Sequence, residues 1–241
     1  MKVLSRTHVG NIREINEDSF LIQENEKGHT LYVIADGMGG HNAGEVASSI
    51  AVQVLNEEFL KANYNSPKEF LKEAILKANT VIYSNSLTNE AYSKMGTTLS
   101  AMVIIGNIVF IGHVGDSRIY YFNKIISDKY RQLTKDHTMV QMLYEQGHIK
   151  QEELATHPYR NILAQSLGTS KKLKADILEM KVPNSGYFLM CSDGLTDELT
   201  DEELKDFIMT VNDLGTKADK IINAALNNKG KDNITFIIIE R

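Results

Sequence analysis

The sequence predicts an α+β fold, a four-layer αββα sandwich in which two antiparallel β-sheets are flanked by pairs of α-helices. Three observations carry that prediction. The apolar period changes along the chain in the order strands, two helices, many strands, two helices, a strand. Each long helical stretch shows one apolar face, which must lie against a sheet. No linker interrupts the pattern: the 241 residues include only 3 Pro, and the 16 Gly are scattered. Residues 1–241 are therefore expected to form one domain.

Residues 1–9 and 19–24 read as strands, joined by a dense polar link containing Arg13, Glu14, Asn16, Glu17 and Asp18. The next strand, 30–35, runs into Asp36-Gly37-Met38-Gly39-Gly40. An apolar run thus ends in a carboxylate and three glycines, a turn that can bring an acid and bare backbone up to a cation. Taken alone, it fits an ordinary strand-to-helix turn equally well. Ala43, Val46, Ala47, Ile50, Ala51, Val54 and Leu55 then recur at helical spacing. Ser66-Pro67-Lys68-Glu69 has the composition of a capping box with Pro in the first turn, and opens a second long helix.

Strand periodicity returns over 97–105, 107–114, 118–122 and 125–132, which reads as an antiparallel meander. Short mixed elements follow over 138–168, with a helix near 138–146, and this segment is expected to form a helical flap near the site. Strands at 173–182 and 187–191 lead to Ser192-Asp193-Gly194. Thr200 and Glu203 form another capping box, a further helix lies around 218–226, and Asp232-Asn233 opens a last strand at 234–239.

Composition narrows the partners. With 26 basic and 31 acidic residues the net charge is −5, so no broad basic field exists to hold nucleic acid. No stretch approaches the ~18 apolar residues of a membrane span, and residues 1–6 lack a signal-peptide core. A cytoplasmic protein is expected. Its one cysteine, Cys191, excludes an internal disulfide, and the apolar run Tyr187-Phe188-Leu189-Met190 before it implies a buried thiol.

Asp18, Asp36, Asp116, Asp193 and Asp232 each stand at the expected edge of a strand. Gathered at one end of a sandwich they would repel one another, and remain ionised together only beside cations. An all-oxygen set suits Mg²⁺ or Mn²⁺, whereas zinc favours His and Cys.

Six motifs occur in order: Arg13-x-x-Asn16-Glu17-Asp18-Ser19, Asp36-Gly37-Met38-Gly39-Gly40-His41, Gly96-Thr97-Thr98, Gly115-Asp116-Ser117-Arg118, Ser192-Asp193-Gly194 and Asp232-Asn233. In this the chain resembles the metal-dependent PPM, or type 2C, protein Ser/Thr phosphatases, in their single-domain bacterial branch. The resemblance implies two Mn²⁺ or Mg²⁺ ions bridged by Asp36. Asp193 and Asp232 would complete the first site, with the Gly37 carbonyl and Asp18 at the second. It also implies a third, weaker ion at Asp116 and Asp193, and Glu17 as an acceptor orienting metal-bound waters. Arg13 would bind the substrate phosphate. A metal-bridging water or hydroxide would attack phosphorus directly, leaving Cys191 without a part in the chemistry. His41 is the candidate general acid, although many relatives place their histidine directly after Asp-Gly, where this chain has Met38. His8 stands where bacterial relatives usually carry Asp; the other histidines, His113, His137 and His157 among them, are read as structural or surface residues.

The expected function is hydrolysis of phosphoserine and phosphothreonine in proteins, opposing a bacterial Ser/Thr kinase, by a monomer. Two alternatives stand beside it. One is a catalytically silent sensor or binding module of the same fold, which normally requires lost ligands. The other is a dinuclear-metal phosphoesterase acting on small molecules.

Overall fold

The structure is a computed structural model and describes residues 1–40, 43–61, 66–126 and 129–241. Its elements are β1 (Lys2–His8), β2 (Asp18–Glu24), β3 (Thr30–Met38), α1 (Ala43–Leu60), α2 (Pro67–Thr88), β4 (Gly96–Thr97), β5 (Leu99–Ile105), β6 (Ile108–Val114) and β7 (Arg118–Asn123). They continue as β8 (Tyr130–Gln132), α3 (Met139–Glu145), β9 (Asp176–Lys181), β10 (Gly186–Cys191), α4 (Asp193–Thr196), α5 (Asp201–Thr210), α6 (Leu214–Asn227) and β11 (Ile234–Glu240). One sheet has the order β2-β3-β5-β6-β9, with β4 added against β3; the other has the order β1-β11-β10-β7-β8. Every pairing is antiparallel.

Side-chain alternation builds the layers. Along β3, Leu31, Val33 and Ala35 face α1 and α2, while Tyr32 and Ile34 face the second sheet. Along β10, Phe188 and Met190 fill the space between the sheets, while Tyr187, Leu189 and Cys191 face α5 and α6. Three apolar clusters thus lie at the three interfaces of the four layers. Both sheets are covered on both faces, which explains why β5 and β10 read as nearly continuous apolar runs.

The helices begin where their caps dictate. The Ser66 hydroxyl accepts from Glu69 N at 3.1 Å. Thr200 and Glu203 make both halves of the expected capping box. Asp213 caps Thr216 N at 2.7 Å, so α6 starts at Leu214, ahead of the expected 218.

Three features depart from the sequence reading. The meander is split, because β5 and β6 lie in one sheet and β7 and β8 in the other. The chain changes sheets at Gly115, whose φ of +107° and close approach to Thr98 leave no room for a side chain. The strand expected over 125–132 shortens to β8, since the Asn123 carboxamide accepts from Ile125 N and Ile126 N (2.8 and 3.1 Å) and turns the chain. The corner at Ser192-Asp193-Gly194 is the start of the short helix α4. Among the described residues, no helix is long and apolar enough to cross a membrane.

Candidate metal centre

One end of the sandwich collects the acids. Asp18 opens β2 and lies directly opposite Asp36 of β3 in the ladder. Asp116 sits in the crossover from β6 to β7, Asp193 begins α4 two residues after β10 ends, and Asp232 stands two residues before β11 begins. A cleft of about 650 Å³ is lined by Arg13, Glu17, Asp36, Gly37, Asp116, Asp193 and Asp232. Its opposite wall comes from the flap: Asn161, Leu163, Ala164, Gln165, Ser166 and Thr169. Asp18 lies outside this lining, in an adjacent groove with Thr7, Asn16 and Ser19. His41 lies outside the described residues.

The acids raise one another's proton affinity. Asp36 is only half-buried at the surface, yet protein surrounds its carboxyl. Burial, then the charges of Asp193, Asp18 and Asp116, hold it well above the usual carboxylate range. Burial pushes Asp18 up to about 7 and Asp193 up to about 6, against hydrogen bonds that pull each down. Asp116 is raised by burial and by Asp193 and Asp136. Asp36 and Asp193 act on each other most directly, since the charge of Asp193 is the largest cause after burial that raises Asp36.

These residues fit hard divalent cations. The set is all oxygen, and its charges repel unless something positive lies among them. Two buried acceptors, Glu17 Oε1 beside the cleft and Asp18 Oδ1 behind it, have no hydrogen-bond donor. Among the described residues, no three His, Cys, Asp or Glu side chains already close on one point. Asp36, Asp116, Asp193 and Asp232 nevertheless line one cleft.

The backbone under the acids is fixed by polar residues. Asp36 O accepts from Thr98 N (2.8 Å) and Thr97 Oγ1 (2.9 Å), while Asp36 N donates to Thr98 Oγ1 at 2.9 Å. Ser192 Oγ donates to Asp18 Oδ2 at 2.8 Å and so orients the carboxyl from the neighbouring sheet. Asn233 spends its whole carboxamide on the loop before β2. Its Nδ2 donates to Val9 O and Ile15 O (2.8 and 2.9 Å), and its Oδ1 accepts from Glu17 N at 2.8 Å. His8 Nδ1 accepts from Gly10 N at 2.9 Å, which shapes the turn that touches Asp232 O. That turn needs Gly10, with φ +86°, because a Cβ there would run into the Asp232 carbonyl.

Glu17 and Arg13 flank the floor. Glu17 O accepts from Ser48 Oγ (2.6 Å) and Gly37 N (3.1 Å), and its carboxylate lies against Gly44 in the first turn of α1. A side chain at Gly44 would displace that carboxylate. Arg13 Nη2 donates to Asp232 Oδ2 at 2.7 Å, with the guanidinium half exposed toward the cleft. Cys191 is fully buried and its thiol is pushed up to about 12 by that burial.

The structure therefore brings Arg13, Asp36, Gly37, Asp116, Asp193 and Asp232 to one cleft and sets Asp18 behind them. Sequence reasoning assigned no part to Ser192 or Asn233, and it expected the flap near the site without singling out the residues of its wall. Ser192 and Asn233 stand inside the motifs, which was the available signal. The wall residues carried none.

The profile of the family described as protein phosphatase 2C matches residues 8–228. The serine/threonine phosphatase stp of Listeria welshimeri serovar 6b is 36% identical over 240 residues, which is 98% of this chain and 94% of that protein. Protein phosphatase PhpP of Streptococcus pneumoniae is 34% identical, covering 99% of this chain and 97% of its own. The crystal structure of the serine/threonine phosphatase Stp1 from Staphylococcus aureus superposes with a TM-score of 0.93 at 36% identity, over 100% of this chain and 94% of that one. A structure of the catalytic domain of the phosphatase PstP in complex with 2 manganese ions gives a TM-score of 0.86 at 29% identity, covering 99% of this chain and 97% of that one. With the profile spanning most of the sequence and relatives matched end to end, the chain belongs to the protein phosphatase 2C family.

Proposed function

We propose that the chain is a metal-dependent protein serine/threonine phosphatase, folded as one domain, that removes phosphate from phosphoserine and phosphothreonine in proteins. The observation that carries the reading is the cleft itself, an acid floor with a half-exposed guanidinium at its rim. Asp36, Asp193 and Asp232 would hold one Mn²⁺ or Mg²⁺; Asp36, the Gly37 carbonyl and Asp18 a second; Asp116 and Asp193 a weaker third. When bound, such ions lower the pKa of water and neutralise the charge of a phosphoryl group. A manganese complex of a relative supports the choice of ions.

The chain's own residues supply the rest. Arg13 binds phosphate oxygens: its bond to Asp232 occupies one corner of the guanidinium, and a planar fork suits bidentate recognition. Thr97 and Thr98 keep the Asp36 backbone from moving as charge develops. Ser192 holds the Asp18 carboxyl from behind. Glu17, whose Oε1 lacks a donor, is placed to orient a water on the floor. His41 is assigned proton donation to the departing serine or threonine oxygen. A phosphoprotein made by a Ser/Thr kinase is the substrate this implies, met by a monomer in the cytoplasm.

Release of phosphate from a phosphothreonine peptide, measured with and without Mn²⁺ in the wild type and in Asp193→Ala, tests the reading. Mn²⁺-dependent release that is lost in Asp193→Ala is expected. No metal-dependent release by the wild type overturns it.

A further inference from the structure

His137 is not itself part of the cleft lining, yet both sides of the cleft hang on it. Its backbone N donates to Gly115 O at 2.7 Å, and Gly115 N donates back to the ring Nδ1 at 3.2 Å. Both polar groups of the residue before Asp116 are thereby gripped by one histidine. Toward the flap, His137 O accepts from Ala164 N at 2.8 Å, and Gln165 Nε2 lies 3.2 Å from Nδ1. Ala164 and Gln165 belong to the wall of the cleft, and Asp116 to its floor.

The ring's own orientation is also determined. Because Nδ1 accepts from the Gly115 amide, the proton of the neutral ring resides on Nε2, which points at Asp176 Oδ2 3.2 Å away. Asp176 begins β9, at the edge of the sheet that carries Asp36. On the other side, the ring rests against His113 with centroids 4.9 Å apart. His113 is itself buried and tied to Ser100 Oγ and Lys135 O (2.9 and 3.0 Å). Gly115 cannot relax away from this grip, since a φ of +107° and the Thr98 side chain confine it.

We propose that His137 is a positioning residue that locks the Asp116 corner and the 164–165 wall in one register, so that cation binding at Asp116 and substrate binding at the wall are coupled. The proposal rests on the phosphatase reading for its substrate, and on the hydrogen bonds alone for the coupling. Two ligands that favour the same arrangement of one element strengthen each other's binding. Supports of this kind lying behind a metal ligand typically alter affinity by about 10–100-fold when removed.

The test separates hydrogen bonding from ring packing. His137→Phe keeps a ring against His113 and loses both Nδ1 and Nε2. His137→Asn loses the ring but can return an acceptor to Gly115 N. Mn²⁺ binding is followed by calorimetry without substrate, together with hydrogen exchange at the Gly115 and Ala164 amides. In wild type, Mn²⁺ is expected to increase protection at Ala164. In His137→Phe the weakest Mn²⁺ phase is expected to lose about 10-fold in affinity, protection at Ala164 no longer to follow Mn²⁺, and KM for a phosphothreonine peptide to rise with little change in kcat. His137→Asn is expected to recover most of each. The opposite order, with Phe behaving as wild type and Asn impaired, overturns the proposal. Asp176→Ala leaves the ring in place and is expected to give the same changes in smaller degree; wild-type Mn²⁺ affinity and exchange in that variant overturn it as well. Failure of the wild type to hydrolyse the peptide would sink the phosphatase reading, while the calorimetric and exchange results would still decide the coupling.

Discussion

The floor and the wall of the cleft are built by different means. Floor residues sit at the ends of strands in continuous ladders, with apolar clusters on both faces of each sheet. The wall over 161–169 is held by two isolated bridges, Thr97 to Leu167 and Thr138 to Leu163, and by side-chain ties such as Asn79 to Gly168 N and Asn161 to Asp197. A floor of this kind resists shifting because its sheets are paired, whereas a wall on point attachments can be altered one attachment at a time, save where His137 ties 164–165 to the Asp116 corner. Chemistry common to a family belongs on the first, and selection among substrates on the second.

Changes to the floor should therefore be large and changes to the wall small. Asp36→Asn is expected to cost about 10³-fold or more in kcat, read as phosphate release at saturating Mn²⁺; a loss under tenfold would mean that the floor is not the reacting surface. Arg13→Ala should raise KM for a phosphopeptide by about tenfold while calorimetric Mn²⁺ affinity stays within about twofold. An unchanged KM would remove Arg13 from phosphate binding.

The support beneath the floor gives an intermediate effect. Asn233→Ala strands three backbone groups of the 9–17 loop. It is expected to cost about 1–3 kcal/mol by urea unfolding, and wild-type stability would show that the loop is held some other way. Proton linkage tests the acids themselves. With Asp18 raised to about 7 and Asp193 to about 6, the folded chain binds more protons than the unfolded one between about pH 4 and pH 7. Stability in a chelator should then fall as pH rises through that window, and Mn²⁺ should flatten the slope; a slope rising with pH in the chelator would contradict the repelling floor. The smallest effect belongs to the wall. Asn161→Ala, which cuts the tie to Asp197, should change KM for a phosphopeptide by less than about threefold and leave a small aryl phosphate unaffected. An effect as large as that of Asp36→Asn would erase the distinction between floor and wall.

The same division governs what could be read from sequence. Strand alternation around Leu31, Tyr32, Val33 and Ile34 and the Asp at each strand end are local signals, and the acids of the floor were legible from them. Which sheet received β7 was not legible, because the choice depends on Gly115 meeting Thr98, seventeen residues earlier in the chain. Asn233 carried its identity in the sequence but not its task, which consists of bonds to residues more than 200 positions away. The flap was expected near the site, but its individual wall residues were silent for a related reason. Ala164, Leu163 and Thr169 are commonplace residues whose importance comes from where Thr97, Thr138 and Asn79 hold the chain.

The place of β11 ties the two ends of the described chain to the cleft. It lies between β1 and β10, and Asp232 stands two residues before it. β1 has no other partner in that sheet, and Arg13, in the loop after β1, meets Asp232. A change that loosens β11 is therefore expected to disturb both the edge of its sheet and the Arg13–Asp232 pair.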